Sequence, residues 1–214
     1  ISRLVVLDTS KNIVITGASR GIGLALVKWF SANHHKVWAL SRNTKPITQL
    51  NLPNVTVNAL DLTDQDAVVS WSQNEAPDTI DALINNAGKL VNKPFAETTQ
   101  SDFEGVFKVN VFGLANLTRA LLKKLQPTGH VVNISSMGGI GGTSKFPGLT
   151  AYSSSKGAVS ILTELLAEEF KETGPAVNAL ALGAVQTEML SDAFPGLEVP
   201  MTAAMMADYI AQFA

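Results

Sequence analysis

A chain of 214 residues, 46% apolar and 16% charged, has the composition of a folded globular protein and is long enough to bury a sizeable core. A formal net charge of -2 gives no broad attraction to nucleic acid or to anionic membrane, so neither is expected as a partner. With no cysteine, disulfides and thiolate metal sites are excluded, and the three histidines form no ligand cluster, so no metal is expected. The apolar runs stop well short of bilayer-spanning length, and a cytoplasmic location is the expectation. The chain opens Ile1-Ser2-Arg3, without Met and without a signal-peptide pattern.

Short β-branched runs alternate with longer segments of helical period, the pattern of repeated βαβ units. Asn12 to Thr16 reads as a strand leading into a helix over Ile22 to Asn33. Lys36 to Leu40 is the second strand, followed by Lys45 to Pro53, a loop or short helical turn rich in Pro, Asn and Thr. The third strand, Val55 to Leu60, precedes a helix from Asp64 to Asn74, where Thr63 offers a capping hydroxyl and the first turn carries acids. Ile80 to Asn85 is the fourth strand, and Ser101 to Gln126 reads as one long helix. His130 to Ser135, a helix from Tyr152 to Lys171 and a sixth strand from Ala176 to Leu182 follow. Gly183 to Pro200 lacks a clean period, and Ala203 to Phe213 is helical again. The expectation is one doubly wound α/β domain, residues 1–214, with a parallel sheet between two helical layers.

Two local patterns carry chemistry. The first strand runs into Thr16-Gly17-Ala18-Ser19-Arg20-Gly21-Ile22-Gly23 and a helix begins at once. A pyrophosphate there meets unpaired backbone N–H groups and the positive end of the helix dipole, and glycines leave the approach clear. The spacing Gly17-x-x-x-Gly21-x-Gly23 differs from the common GxGxxG fingerprint. The second pattern is Tyr152 and Lys156, which at i and i+4 share one helical face. An ammonium beside a phenol favours the phenolate and lowers a pKa that starts near about 10, which suits general acid/base work. Ser135-Ser136 ends the strand before that helix, where a hydroxyl reaches the crevice at the carboxyl ends of the strands.

Taken together, these residues resemble the short-chain dehydrogenases/reductases in their compact form, with a TGxxxGxG loop and a YxxxK pair. The likeness spans nearly the whole chain and extends to Asp61-Leu62, Asn85-Asn86-Ala87-Gly88, Asn110, Ser136 and Gly183. It implies a Rossmann-like fold and hydride transfer between NADP(H) and a carbonyl or alcohol, in the manner of ketone and 3-oxoacyl-thioester reductases. By the same resemblance Tyr152 donates the proton in reduction, Ser136 polarises the carbonyl, Lys156 serves both tyrosine and nicotinamide ribose, and Asn110 holds a water in the relay. The cofactor would lie along Gly17, Ser19, Arg20, Gly21, Ile22 and Gly23, with Asp61 and Leu62 at adenine and Asn86, Ala87 and Gly88 lining the cleft. Gly183, Val185 and Thr187 would hold the carboxamide end.

NADP(H) is expected over NAD(H) because the second strand ends in Ser41-Arg42, a hydroxyl and a guanidinium where NAD-binding relatives carry an acid, and Arg20 approaches from the other side. Three departures stand out. Leu182-Gly183 replaces the usual Pro-Gly. The glycine-rich stretch Met137 to Thr150 is long and is expected to form one pocket wall, with Val91, Phe146 and Met189 making that pocket apolar. The chain stops at Ala214 without the family's seventh strand, so a shortened chain is expected. Family relatives often pair through their two long helices, so a homodimer or homotetramer is expected. The competing function is a cofactor-binding sensor or scaffold without turnover, marked by a broken Ser-Tyr-Lys set; here the set is intact.

Overall fold

The structure, a computed structural model, describes residues 10–214. Six strands form one parallel sheet: β1 (Asn12–Thr16), β2 (Lys36–Ser41), β3 (Val55–Ala59), β4 (Ile80–Asn85), β5 (Leu125–Ser136) and β6 (Ala176–Leu182). They stand in the order β3-β2-β1-β4-β5-β6. The order reverses between β1 and β4, and at that switch the crossover loops part and leave a crevice beyond the carboxyl ends of the strands. β1, β4 and the core of β5 are buried almost throughout, as expected of strands covered on both faces.

One face is covered by α1 (Gly21–Ala32) and α8 (Ala203–Phe213), whose Leu26, Val27, Phe30, Ala207 and Ile210 pack on Ile13, Ile15, Ile84 and Val132. The other carries α3 (Gln65–Asn74), α5 (Leu114–Leu121) and α6 (Thr150–Glu169), and there Val68, Trp71, Leu117, Leu121, Leu166 and Phe170 cover Val14, Leu83 and Val131. Short helices α2 (Lys45–Thr48) and α7 (Glu188–Ala193) occupy the two segments that lack a clean period.

Three local expectations are corrected. The segment from Ser101 to Gln126 is not one helix: α4 (Gln100–Phe107) gives way to a π-helical turn (Lys108–Gly113) and then to α5. The chain is already strand at Leu125, pairing with Ile80 before a register shift hands the ladder on to His130 opposite Ala82. Gly129 sits in that irregularity, where a side chain would meet the carbonyl oxygens of Gln126 at 2.9 Å and Asp81 at 3.0 Å. Finally, α3 is capped by Asp64, whose carboxylate accepts from the Ala67 N–H at 3.0 Å, while the Thr63 hydroxyl donates to Asp61 instead.

Candidate active site

The crevice holds a cavity of about 440 Å³ that runs from the turn after β1, past the ends of β2 and β3, to the ends of β5 and β6. Its first wall is the turn between β1 and α1, with Gly17, Ser19, Arg20, Gly21 and Ile22 on the lining. Gly17 has φ +66°, and a Cβ there would stand 2.7 Å from the Ala87 Cα, so only glycine lets this turn close against the end of β4. Gly23 is not on the lining; a side chain there would run into the Gly17 carbonyl and the Asn86 amide. The turn is held from behind: the Thr16 hydroxyl accepts the N–H groups of Asn86 and Ala87 at 3.0 Å each, and the Asn86 amide donates to the carbonyls of Thr16 and Gly17 at 3.0 and 3.2 Å. Thr16 therefore joins the two loops that flank the switch point, a role its sequence position did not reveal.

At the far end of that wall lie Ser41 and Arg42, with Asp61 and Leu62 beside them and no acid closing β2. Asp61 accepts the Thr63 N–H at 2.9 Å and its hydroxyl at 2.8 Å. The Thr63 backbone bond holds the Asp61 carboxyl below its ordinary pKa against the opposing effect of burial, helped by the Thr63 hydroxyl, Arg42 and Lys108. Arg20 is paired with Asp192 of α7 at 3.2 Å, an exposed contact that ties the glycine turn to the helix after β6.

The other end gathers Ser136, Tyr152 and Lys156. Ser135 and Ser136 separate cleanly. Both residues line the cavity, but the Ser135 hydroxyl is buried and spent on the Lys156 carbonyl at 2.8 Å and on Ser160 Oγ at 2.9 Å, whereas the Ser136 hydroxyl accepts the Gly138 N–H at 3.3 Å and stands by the Tyr152 phenol. Lys156 is buried, donates to the Ile134 carbonyl at 2.6 Å, and holds its ammonium 5.8 Å from the centre of the Tyr152 ring. Burial brings the Lys156 ammonium down to about 8. The Tyr152 phenol, by contrast, is pushed above its ordinary value by burial, with the Ser136 hydrogen bond pulling the other way. The expected lowering of the tyrosine pKa is thus reversed: desolvation outweighs the effect of Ser136, while the Lys156 ammonium is turned to a backbone carbonyl.

Asn110 sits in the π-helical turn, fully buried and off the cavity lining. Its amide donates to the Lys89 carbonyl at 3.0 Å and Ser155 Oγ at 2.9 Å, and its oxygen accepts the Lys89 N–H at 2.7 Å. Through Ser155, which donates to the Tyr152 carbonyl at 2.7 Å, it connects the loop after β4 to the helix that carries the tyrosine. Asn86, Ala87 and Gly88 line the middle of the cavity, as do Gly183, Val185 and Thr187 after β6. Thr187 caps α7 by accepting the Leu190 N–H at 3.3 Å. Leu182 continues β6 opposite Ser136, and nothing crowds Gly183. The stretch after Ser136 forms a wall, with Met137, Gly138, Phe146 and Leu149 on the lining; Phe146 and Met189 are there as expected, and Leu90 stands on it in place of Val91.

The glycine cradle, the long crevice and the donors at its ends fit a dinucleotide, and the comparisons agree. The model of the short chain dehydrogenase family matches residues 11–198, and the chain belongs to that family. It is 34% identical over 182 residues to the oxidoreductase BOA17 of Botryotinia fuckeliana (81% of this chain, 65% of the relative). It is 33% identical over 182 residues to carbonyl reductase [NADPH] 2 of Sus scrofa (82% and 72%). The chain thus spans 65% and 72% of the length of these two relatives. Among solved structures, a short-chain dehydrogenase from Streptomyces avermitilis superposes with a TM-score of 0.84 at 30% identity, covering 95% of this chain and 84% of that one. ElxO with NADP bound gives 0.81 at 29% (96% and 91%), and 4-hydroxyisoleucine dehydrogenase complexed with NADH gives 0.83 at 26% (95% and 90%). The chain's six-stranded parallel sheet is Rossmann-like and matches the solved short-chain dehydrogenase structures. Among the described residues, no helix is long and apolar enough to cross a membrane.

Proposed function

We propose that the protein is an NADP(H)-dependent oxidoreductase that reduces a carbonyl, a ketone or a 3-oxoacyl-type group, to an alcohol or runs the reverse, with residues 1–214 serving as one cofactor-binding and catalytic domain. The observation that carries this reading is the gathering of Ser136, Tyr152 and a buried Lys156 in the same cavity as the glycine turn, with the Lys156 ammonium 5.8 Å from the centre of the Tyr152 ring. A nicotinamide cofactor held along Gly17, Ser19, Arg20, Gly21, Ile22, Asp61, Leu62, Asn86, Ala87, Gly88, Gly183, Val185 and Thr187 supplies the hydride. Gly23 gives the turn its shape. Ser136 and Tyr152 both present hydroxyl donors to the substrate oxygen, and Tyr152 gives up its proton as the carbonyl becomes an alcohol. A phenol held above its ordinary pKa is fully protonated near neutrality, which suits a proton donor. Lys156 holds positive charge below about pH 8 and serves the tyrosine and the ribose, while Asn110 shapes the relay by fixing the loop beside it.

Both nicotinamide cofactors occur in relatives of this fold, so the preference rests on the end of β2. Ser41 and Arg42 offer a hydroxyl and a guanidinium fork to a 2'-phosphate, and Arg20 adds a second cation once it leaves Asp192. An exposed ion pair contributes about 0.2–1 kcal/mol, too little to hold Arg20 against a dianion. Purified protein is expected to oxidise NADPH in the presence of a ketone with a higher kcat/KM than NADH. Ser41→Asp with Arg42→Ala should move the ratio toward NADH by roughly one to three orders of magnitude, given about 1.5–3 kcal/mol per charge-assisted contact. Equal or higher kcat/KM with NADH in the unaltered protein contradicts the assignment.

A further inference from the structure

The cavity is charged at one end and apolar at the other. Lys156 is the charged side chain beside Tyr152, and the others on the lining belong to the glycine turn, to the ends of β2 and β3, to the loop after β4 and to the start of α7. Arg20 pairs with Asp192, and the Glu188 carboxylate lies 3.5 Å from where a Cβ of Gly21 would stand, at the glycine turn. The Lys89 ammonium lies 2.6 Å from where a Gly105 side chain would start, on α4, and Lys156 donates to Ile134. Lys145, in the loop behind, is spent on the carbonyls of Ile140 and Thr143. The apolar part of the lining comes from two segments: Met137 and Phe146 from the stretch after Ser136, and Met189, Leu190, Phe194 and Leu197 from α7 and the residues after it. Gly88 shows how closely α7 closes over the site: a Cβ there would be 3.8 Å from the Lys156 Nζ and 3.9 Å from the Met189 Cε. Met137, Phe146 and Leu197 are also among the large apolar side chains left exposed, so the apolar walls continue out to the mouth. Apolar surface gathered at the rim of a cavity marks what the cavity is built to take.

We propose that the substrate is an uncharged ketone with an extended apolar arm, its carbonyl at Ser136 and Tyr152 and its arm passing out between the Met137–Phe146 wall and α7. The proposal rests on the reductase reading above. A carboxylate, phosphate or polyol in the arm would lose its water against these walls with no partner to replace it. An added methylene, by contrast, gains about 0.8 kcal/mol, a factor of about four in affinity.

The test is an NMR titration of the protein with NADP+ against 2-butanone, 2-hexanone and 2-octanone, with 6-oxoheptanoate and fructose as charged and hydroxylated counterparts. Dissociation constants should fall about three- to fourfold per methylene, and the two counterparts should bind at least tenfold more weakly than 2-octanone. Phe146→Ser and Leu197→Ser, both at exposed positions, should flatten the dependence on arm length. A flat series, equal binding of 6-oxoheptanoate, or an unaltered slope in both variants overturns the proposal. NADPH oxidation is read separately. Turnover that favours fructose or 6-oxoheptanoate sinks the substrate class and leaves the reductase standing, whereas the graded affinities without any turnover sink the reductase and leave the apolar pocket standing.

Discussion

Lys156 is the residue where structure and function pull hardest against each other. Its ammonium is buried with one carbonyl for a partner, and burial brings its pKa from 10.5 to about 8. That difference corresponds to roughly 3 kcal/mol against folding with the charge in place. The sign follows from proton counting. Between pH 8 and 10.5 the unfolded chain binds the proton that the folded one has released, so the Lys156 contribution to stability improves as pH rises through that window, and the penalty is complete below it. Lys156→Met should therefore raise the unfolding free energy at pH 7 by about 1–3 kcal/mol, the lost bond to Ile134 offsetting part of the gain. The advantage should shrink toward pH 10.5, while catalysis is lost throughout. Urea denaturation at pH 7 and pH 10 measures it, and a variant less stable than the parent at pH 7 contradicts it. A residue kept at such a cost to stability is one the site uses.

At the scale of elements, the wall after Ser136 is seated by glycine. The turn Met137–Gly139 lies directly on α6, where a Cβ on Gly139 would stand 2.6 Å from both the Gly157 nitrogen and the Lys156 carbonyl carbon. Gly139→Ala must push the wall away from the helix that carries Tyr152 and Lys156. The expected cost is about 1–3 kcal/mol, a fall of about 2–10 °C in the thermal midpoint, with weaker substrate binding. Gly141→Ala, at a position with open space, should change neither. Equal midpoints for the two variants contradict the packing account.

The same scale shows what could be read in advance. The strands and the helices α1, α3, α6 and α8 are marked by β-branched runs and by three- and four-residue periods, and apart from the start of β5, five residues ahead of its expected place, they stand within a residue or two of where those patterns put them. The break inside Ser101 to Gln126 left no such mark. A π-helical turn widens the helix by one residue without any residue type of its own, and the irregular start of β5 contains Pro127 and Gly129, which look like loop. The glycine turn, Ser136, Tyr152 and Lys156 were legible because fixed residue types at fixed spacing specify them. Thr16, Ser155 and Asp192 were not, because each acts through a tertiary contact between segments far apart in sequence. The direction of the Tyr152 pKa depended on how deeply the phenol is buried, which spacing on a helix does not decide.

For the molecule as a whole, three large apolar side chains on neighbouring elements lack cover. Ile161 and Leu165, four residues apart on α6, are 57% and 63% exposed, and Phe112 in the adjoining π-helical turn is 57% exposed. Ile161 and Leu165 share a helical face turned away from the sheet, so a second copy related by a two-fold axis would cover them. Light scattering at micromolar concentration should show a homodimer, or a homotetramer containing that dimer. Ile161→Glu with Leu165→Glu should yield monomer of unaltered helix content. A monomeric parent protein contradicts this assembly.

The measurement closest to the centre of the account is single-turnover oxidation of NADPH by Tyr152→Phe in the presence of a ketone the parent protein reduces. The substitution deletes one oxygen, that of the phenol, and keeps the ring beside Lys156. The account predicts a fall in rate of at least about 10²-fold, with the dissociation constant for NADPH within about twofold of the parent, since general acid catalysis is lost and the cofactor walls are untouched. A Tyr152→Phe protein that keeps half the parent rate would show that the proton comes from elsewhere.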